Sequence, residues 1–349
     1  MNAWRAYWHD FEIERSRLAV LRFGMLGLLA WDLWTTFLGH ATRYGAGDFN
    51  VTQARWLDPI APLPTPAIMG VGWLLAGFLA ARAALGIAQR ASTVGAAVIY
   101  IAFYMWGQAD SYQHHYFICL LLGVLAFLPS DAPTSEDGRM VRHWTMRAFY
   151  VQLTFLYLWT AVTKTDPVWL SGATLDQIVS KPAMRADLLA FGAKFGLSEQ
   201  TIFPFMAVSV MLGQYFAATI LQIRRFWWVG MLVIPWFHIF VEFIEFDIEY
   251  FSYYMIALLL VLLSPPIFWR WAEATTARLW AAWAPLRGRL VGPSAPALPT
   301  RVAFALITGA AAAALAAQIH IEGTAWLAGL VGVAAAAGVW AHPAGRSLT

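Results

Sequence analysis

Long apolar stretches, each close to the 20 or so residues that a helix needs to cross a hydrocarbon layer, recur along this chain with short polar connections between them. They fall near residues 17–38, 66–87, 92–109, 112–129, 144–163, 201–222, 226–246, 250–271, 301–319 and 324–341. The third and fourth are short and closely joined. The pattern predicts an all-α integral membrane protein, a polytopic helical bundle of about ten transmembrane helices. The first apolar run begins near Leu18 and continues past Trp34, longer than a signal-peptide core, so it is expected to remain as a span. Between the fifth and sixth spans, Thr174–Gly196 predicts a surface-lying amphipathic helix broken near Pro182. The long connection Gly39–Thr65, with prolines at 59, 62, 64 and 66 bounding its end, is expected to cap the outer face.

Composition agrees with this class. Of 349 residues 60% are hydrophobic and only 12% charged, too apolar for a soluble core. Arginine outnumbers lysine, which occurs only at 164, 181 and 194, and alanine is abundant; this composition points to a GC-rich bacterial genome, so the spans are expected in a bacterial inner membrane. Cys119 is the single cysteine, so no internal disulfide and no Cys-x-x-Cys relay can form. Charge orients the bundle. The amino terminus, the connections after even-numbered spans and the carboxyl terminus hold sixteen Lys/Arg, against six on the opposite side, so both termini are expected in the cytoplasm. The net charge of +3 does not suggest nucleic acid, and no basic groove or stacking motif accompanies it. Three regions are expected: a transmembrane module over 1–271 with about eight spans, a cytoplasmic linker over 272–300, and an Ala-rich transmembrane hairpin over 301–341 braced by small residues. The Trp-rich stretch Arg270–Trp283 is expected to continue as an interfacial helix.

With that orientation the unusual polar residues collect on the outer face. Asp110, His114 and His115 lie between the third and fourth spans, Lys164 and Asp166 end the fifth, and His238, Glu242, Glu245, Asp247 and Glu249 occupy the end of the seventh and the turn after it. Lys164 reads either as an anchor that snorkels to the headgroups or as a base, because desolvation beside lipid favours the neutral amine. Asp166 is either a turn carboxylate before Pro167 or the ion-pair partner of Lys164. His114 and His115 are adjacent and so point to different faces, leaving one of them without a part in a shared site. His238, Glu242, Glu245 and Glu249 follow one helical stripe, which suits a proton relay or, more weakly, a metal at His238 and Glu242; otherwise the later acids are simply solvated. Arg22 and Asp32, ten residues or about 15 Å apart along a helix, cannot pair with each other and must find partners elsewhere or line a wet cavity.

Several of these segments together resemble the transmembrane module of the vitamin K-dependent gamma-glutamyl carboxylase family, whose bacterial relatives are the horizontally transferred transmembrane domain proteins. The likeness covers roughly residues 10 to 270. It rests on Leu18–Phe23 with Asp32, on Asp110–Phe117, on Ala161–Gly172, and on Trp236–His238 with Phe251–Tyr253; the most specific piece is Lys164-x-Asp166-x-x-Trp169-x-x-Gly172. The resemblance implies that Lys164 deprotonates a membrane-borne hydroquinone of the reduced vitamin K or menaquinol type, a co-substrate and not a tightly bound cofactor, which then reacts with dioxygen. It implies that His114 and His238 hydrogen-bond the quinone oxygens or a developing oxyanion. Trp169 and Tyr112 are the expected substrate-binding aromatics, and Asp166, Asp110, His115, Arg22 and Asp32 the supporting groups. Where the eukaryotic carboxylases have a large lumenal region that holds a protein substrate, two Ala-rich spans are expected here at 301–341. A second reading therefore stands beside the enzyme: a non-catalytic membrane factor for the maturation or export of a secreted peptide or protein. A third is a haem or metal protein using His114 or His115 with His238.

Overall fold

A computed structural model describes residues 3–39, 56, 59, 64–107, 113–128, 138–179, 181–243, 250–275 and 278, with the side chains of Gln113, His114 and Phe243 outside that set. In chain order the elements are α1 (Ala3–His9), β1 (Glu12–Glu14), α2 (Arg15–Asp32, continued by a π-helical turn, Leu33–Phe37), α3 (Pro66–Ala84), α4 (Gln89–Trp106), α5 (Gln113–Phe127), β2 (Met140–Arg142) and α6 (Trp144–Thr163). The short helices α7 (Pro167–Leu170), α8 (Ala173–Ile178) and α9 (Pro182–Ala193) follow, then α10 (Glu199–Ile220), α11 (Trp227–Phe243), α12 (Phe251–Leu263) and α13 (Pro266–Thr275). Contacts divide the chain into two compact units, one of Met1–Leu21 with Pro133–Trp269 and one of Arg22–Ala132 with Arg270–Thr349.

In the first unit α6 packs on α10, and α11 on α12. In the second, α3 packs on α4 and on the π-helical turn, and α4 on α5. Helix starts follow local chemistry. Thr65 caps α3 by accepting from the Ile68 amide, with Pro66 at the first helical position where no N–H is needed. Gly72 lets α3 and α4 approach closely: a Cβ there would stand 1.9 Å from the Phe103 ring.

Each of the eight expected spans between 17 and 271 falls on a helix. Three of these are long and apolar enough to cross a bilayer, Arg15–Phe37, Pro66–Ala84 and Glu199–Ile220, and a fourth if a bent pair counts as one span. Large apolar side chains stand outward on several helices, among them Trp31, Phe155, Trp159, Leu212, Leu232 and Trp236. Water penalises such a surface and acyl chains do not, as befits a membrane protein. The expected spans at 301–319 and 324–341, and most of the connection Gly39–Thr65, lie outside the described residues.

One expectation needs correction. The eighth stretch, 250–271, is not one straight span: α12 and α13 meet at 93° across Ser264–Pro265. Pro265 has no N–H to continue the ladder, and it holds Ser264 extended at φ −60°, ψ 141°. The fold is helical as expected, with one small addition: β1 and β2 form a two-stranded antiparallel ribbon pairing Glu12 with Arg142, Ile13 with Val141 and Glu14 with Met140. Arg142 and Glu12 add an ion pair across it. The surface segment after α6 does break where expected, between α8 and the α9 start at Pro182.

Candidate functional site

α6 ends at Thr163, and Lys164 follows as its cap with φ −96°, ψ 9°. The Lys164 side chain folds back along α6, donating from Nζ to the Thr160 carbonyl at 3.3 Å and lying 4.9 Å from the centre of the Trp169 ring. Trp169 is itself held: its indole N–H donates to the Ala207 carbonyl at 3.1 Å, and the ring packs against the cluster of Leu175, Phe203 and Ala207. Asp166 does not pair with Lys164. Its carboxylate accepts from the amides of Val168 at 2.7 Å and Trp169 at 3.2 Å, capping α7, whose first residue is Pro167. Of the two readings of Asp166, the turn carboxylate is the one formed. An N-cap bond of this kind contributes about 1 kcal/mol. Among the described residues Lys164 thus meets an aromatic face and a carbonyl but no carboxylate. The Trp169 face favours the cation; burial disfavours it more, and lowers the proton affinity of the amine below the ordinary lysine value.

Gly172 closes this motif for a reason visible in the backbone. Its φ is +79°, and a Cβ would lie 2.5 Å from the backbone of Phe203 and Pro204. Gly172→Ala is expected to cost at least about 1–2 kcal/mol from the left-handed conformation alone, and the contact with α10 adds to it. The variant should show a lower unfolding temperature and weakened tryptophan order at Trp169. A wild-type melting curve and emission spectrum would contradict this placement of the motif.

Seven residues before Lys164, about 10 Å along the helix and on the same face, Tyr157 is buried and bonds through its hydroxyl to Nε2 of His238 at 2.8 Å. His238 lies on α11, three residues after Pro235, which deletes one ladder N–H within the helix. The imidazole is 3% exposed and stands edge-on to Phe251 at 6.0 Å. Its Nδ1 and the Oε1 of Glu242, one turn further on, are buried without a hydrogen-bond partner among the described residues. Glu245, Asp247 and Glu249, the rest of the expected stripe, lie outside the described residues. No three His, Cys, Asp or Glu side chains converge as a metal site among the described residues, so His238 and Glu242 gain no third ligand there.

The remaining expected residues belong to the other unit. His115 is 1% exposed, with Nδ1 3.1 Å from the Tyr100 hydroxyl and its ring edge-on to Phe37 at 5.0 Å. Asp110, Tyr112 and the His114 side chain lie outside the described residues. Asp32 is buried where α2 passes into the π-helical turn, and Arg22 lines a cleft with residues of α4 and α5. The structure therefore brings Lys164 to Trp169 and His238 to Tyr157. Tyr157 and Tyr100 do not stand out in the sequence, because tyrosines inside apolar runs look like core; the one available signal is the seven-residue spacing from Tyr157 to Lys164.

No curated protein matches the chain, and no solved structure does. The family model of the HTTM domain matches residues 11–267, a span that takes in Arg22, Asp32, His115, the whole Lys164–Gly172 motif and His238. With nearly three quarters of its length so matched, the chain belongs to the HTTM domain family.

Proposed function

We propose that the protein is a carboxylase-like membrane enzyme that oxidises a lipid-soluble hydroquinone with dioxygen, with Lys164 as the base. The observation that carries this reading is the setting of Lys164: an amine at the end of an apolar helix, against Trp169 and with no carboxylate beside it among the described residues, its proton affinity lowered by burial. A base for a phenolic proton must be neutral, and this environment favours the neutral form. The reaction balances without another reductant: the hydroquinone loses two hydrogens and gains one oxygen atom as the epoxide, while the second oxygen leaves as water. Two turns deeper, the Tyr157 hydroxyl and the open Nδ1 of His238 are hydrogen-bonding groups for a quinone oxygen. Trp169 acts as a positioning residue that fixes where the amine points. In this reading a secreted peptide or protein glutamate that would take up carbon dioxide is a further partner.

The proposed arrangement has ten spans in a bacterial inner membrane, both termini cytoplasmic and Lys164 facing the exterior. The module over 1–271 carries the chemistry, and the linker and Ala-rich hairpin brace it. Purified protein supplied with reduced menaquinone-type quinol and oxygen should form epoxide, and Lys164→Ala should not. Epoxide formation that survives this substitution would overturn the assignment.

A further inference from the structure

The unit containing α2 to α5 holds a cleft that the proposed reaction does not use. It is lined by Arg22 of α2, by Gln89, Arg90 and Thr93 in the first turns of α4, and by Leu125 and Leu128 at the end of α5. Two arginines from different helices line it together, and among the described residues no carboxylate lines it. Among the described residues no ion pair involves Arg22 or Arg90. Arginine cannot shed its proton to relieve such a juxtaposition. Arg22 also lies two turns into α2, flanked along the helix by Leu21 and Phe23 in an apolar stretch, where an uncompensated charge is costly. An anion from outside the protein is the direct way to offset both charges, because charge-assisted bonds to a planar guanidinium are the strong ones. The amide of Gln89 supplies further donors beside them. Leu125 and Leu128, both buried, supply the apolar part of the lining.

We propose that this cleft binds the phosphate group of an anionic phospholipid, its oxygens between Arg22 and Arg90 and its glycerol end against Leu125 and Leu128. The orientation proposed above places this end of α4 at the cytoplasmic leaflet, where such lipids carry a negative surface. The chemistry is that of a phosphate, and a soluble phosphate monoester is the other possible source of it. The binding site stands independently of the role of Lys164.

Native mass spectrometry and lipid-dependent thermal stabilisation of the full chain in detergent test this with three probes: phosphatidylglycerol, phosphatidylcholine and glycerol phosphate. Phosphatidylglycerol should be retained and should stabilise the protein more than phosphatidylcholine. Arg22→Gln and Arg90→Gln should each weaken it by about tenfold, the worth of one hydrogen bond to a charged group. Arg90 is exposed, so its variant reports on binding even if Arg22→Gln folds poorly. Arg224→Gln with Arg225→Gln removes two cations in the other unit and should leave the affinity unchanged. Equal retention of the two lipids, or equal losses in the control, would overturn the proposal by reducing the effect to diffuse charge. Glycerol phosphate binding with the same sensitivity to Arg22 and Arg90 would uphold the phosphate site and assign it to a soluble source.

Discussion

Lys164→Arg is expected to lose quinol-dependent epoxide formation as completely as Lys164→Ala does, by about 10²- to 10⁴-fold, the usual contribution of a positioned general base. The arginine variant is the sharper of the two. A guanidinium keeps the positive charge, can still stack on Trp169 and can still reach the Thr160 carbonyl, so every anchoring role of Lys164 survives it. What it cannot do is accept a proton, because it stays charged at any working pH. A base therefore fails in both variants, whereas an anchor in a non-catalytic membrane factor fails only in Lys164→Ala. The pH profile gives an independent reading. Burial lowers the proton affinity of Lys164, so the neutral amine is populated at lower pH than for a free lysine. Activity should rise with pH and level off below the ordinary lysine range. A rise that tracks unperturbed lysine, or an active Lys164→Arg protein, would remove the base from the mechanism.

The parts of the fold that rest on long apolar runs could be read from the residues, because a helix in lipid must satisfy its own backbone and needs a fixed length to do so. Thr65-Pro66 marks the start of α3 by chemistry local to two residues. The break after Leu263 was legible in principle, since Ser264-Pro265-Pro266 sits inside the run, but hydropathy counts a proline without weighing its missing N–H. The ribbon of β1 and β2 escaped because three-residue strands are too short for an alternation to register. In the candidate site, Lys164, Trp169 and His238 stand out as residue types in unusual surroundings. The partner of each depends on the third dimension. Asp166 offered two equally good local readings, and the amides of Val168 and Trp169 decide between them. Tyr157 meets His238 across 81 residues, a pairing no window along the chain contains.

Arg17 makes the same point most strongly, and its removal is expected to have the largest effect on stability. It is fully buried, donating from Nε to the Glu14 carboxylate at 2.7 Å, from Nη1 to the Leu262 carbonyl and from Nη2 to the Ser264 carbonyl at 2.8 Å. Its guanidinium lies 5.6 Å from the Trp227 ring and 5.5 Å from the Trp269 ring. The need for it follows from the bend. The last carbonyls of any helix lack partners within the helix, and after α12 two successive prolines provide no N–H to satisfy them. Tyr150 shares the task by donating to Leu262 at 2.8 Å. Arg17→Ala leaves the buried Glu14 carboxylate and the Ser264 carbonyl without these donors, and the Leu262 carbonyl with Tyr150 alone, a loss of about 3–5 kcal/mol. Arg17→Lys should recover only part of this, since an ammonium is a point charge and cannot span three acceptors in one plane. Arg17→Met with Glu14→Gln should recover more than Glu14→Gln adds on its own, because it removes the stranded charge together with its partner. Heating each variant in detergent and following the fraction that remains folded ranks them. A loss below about 1 kcal/mol for Arg17→Ala, the scale of an exposed ion pair, would mean that the bend at Ser264–Pro265 holds without its clasp.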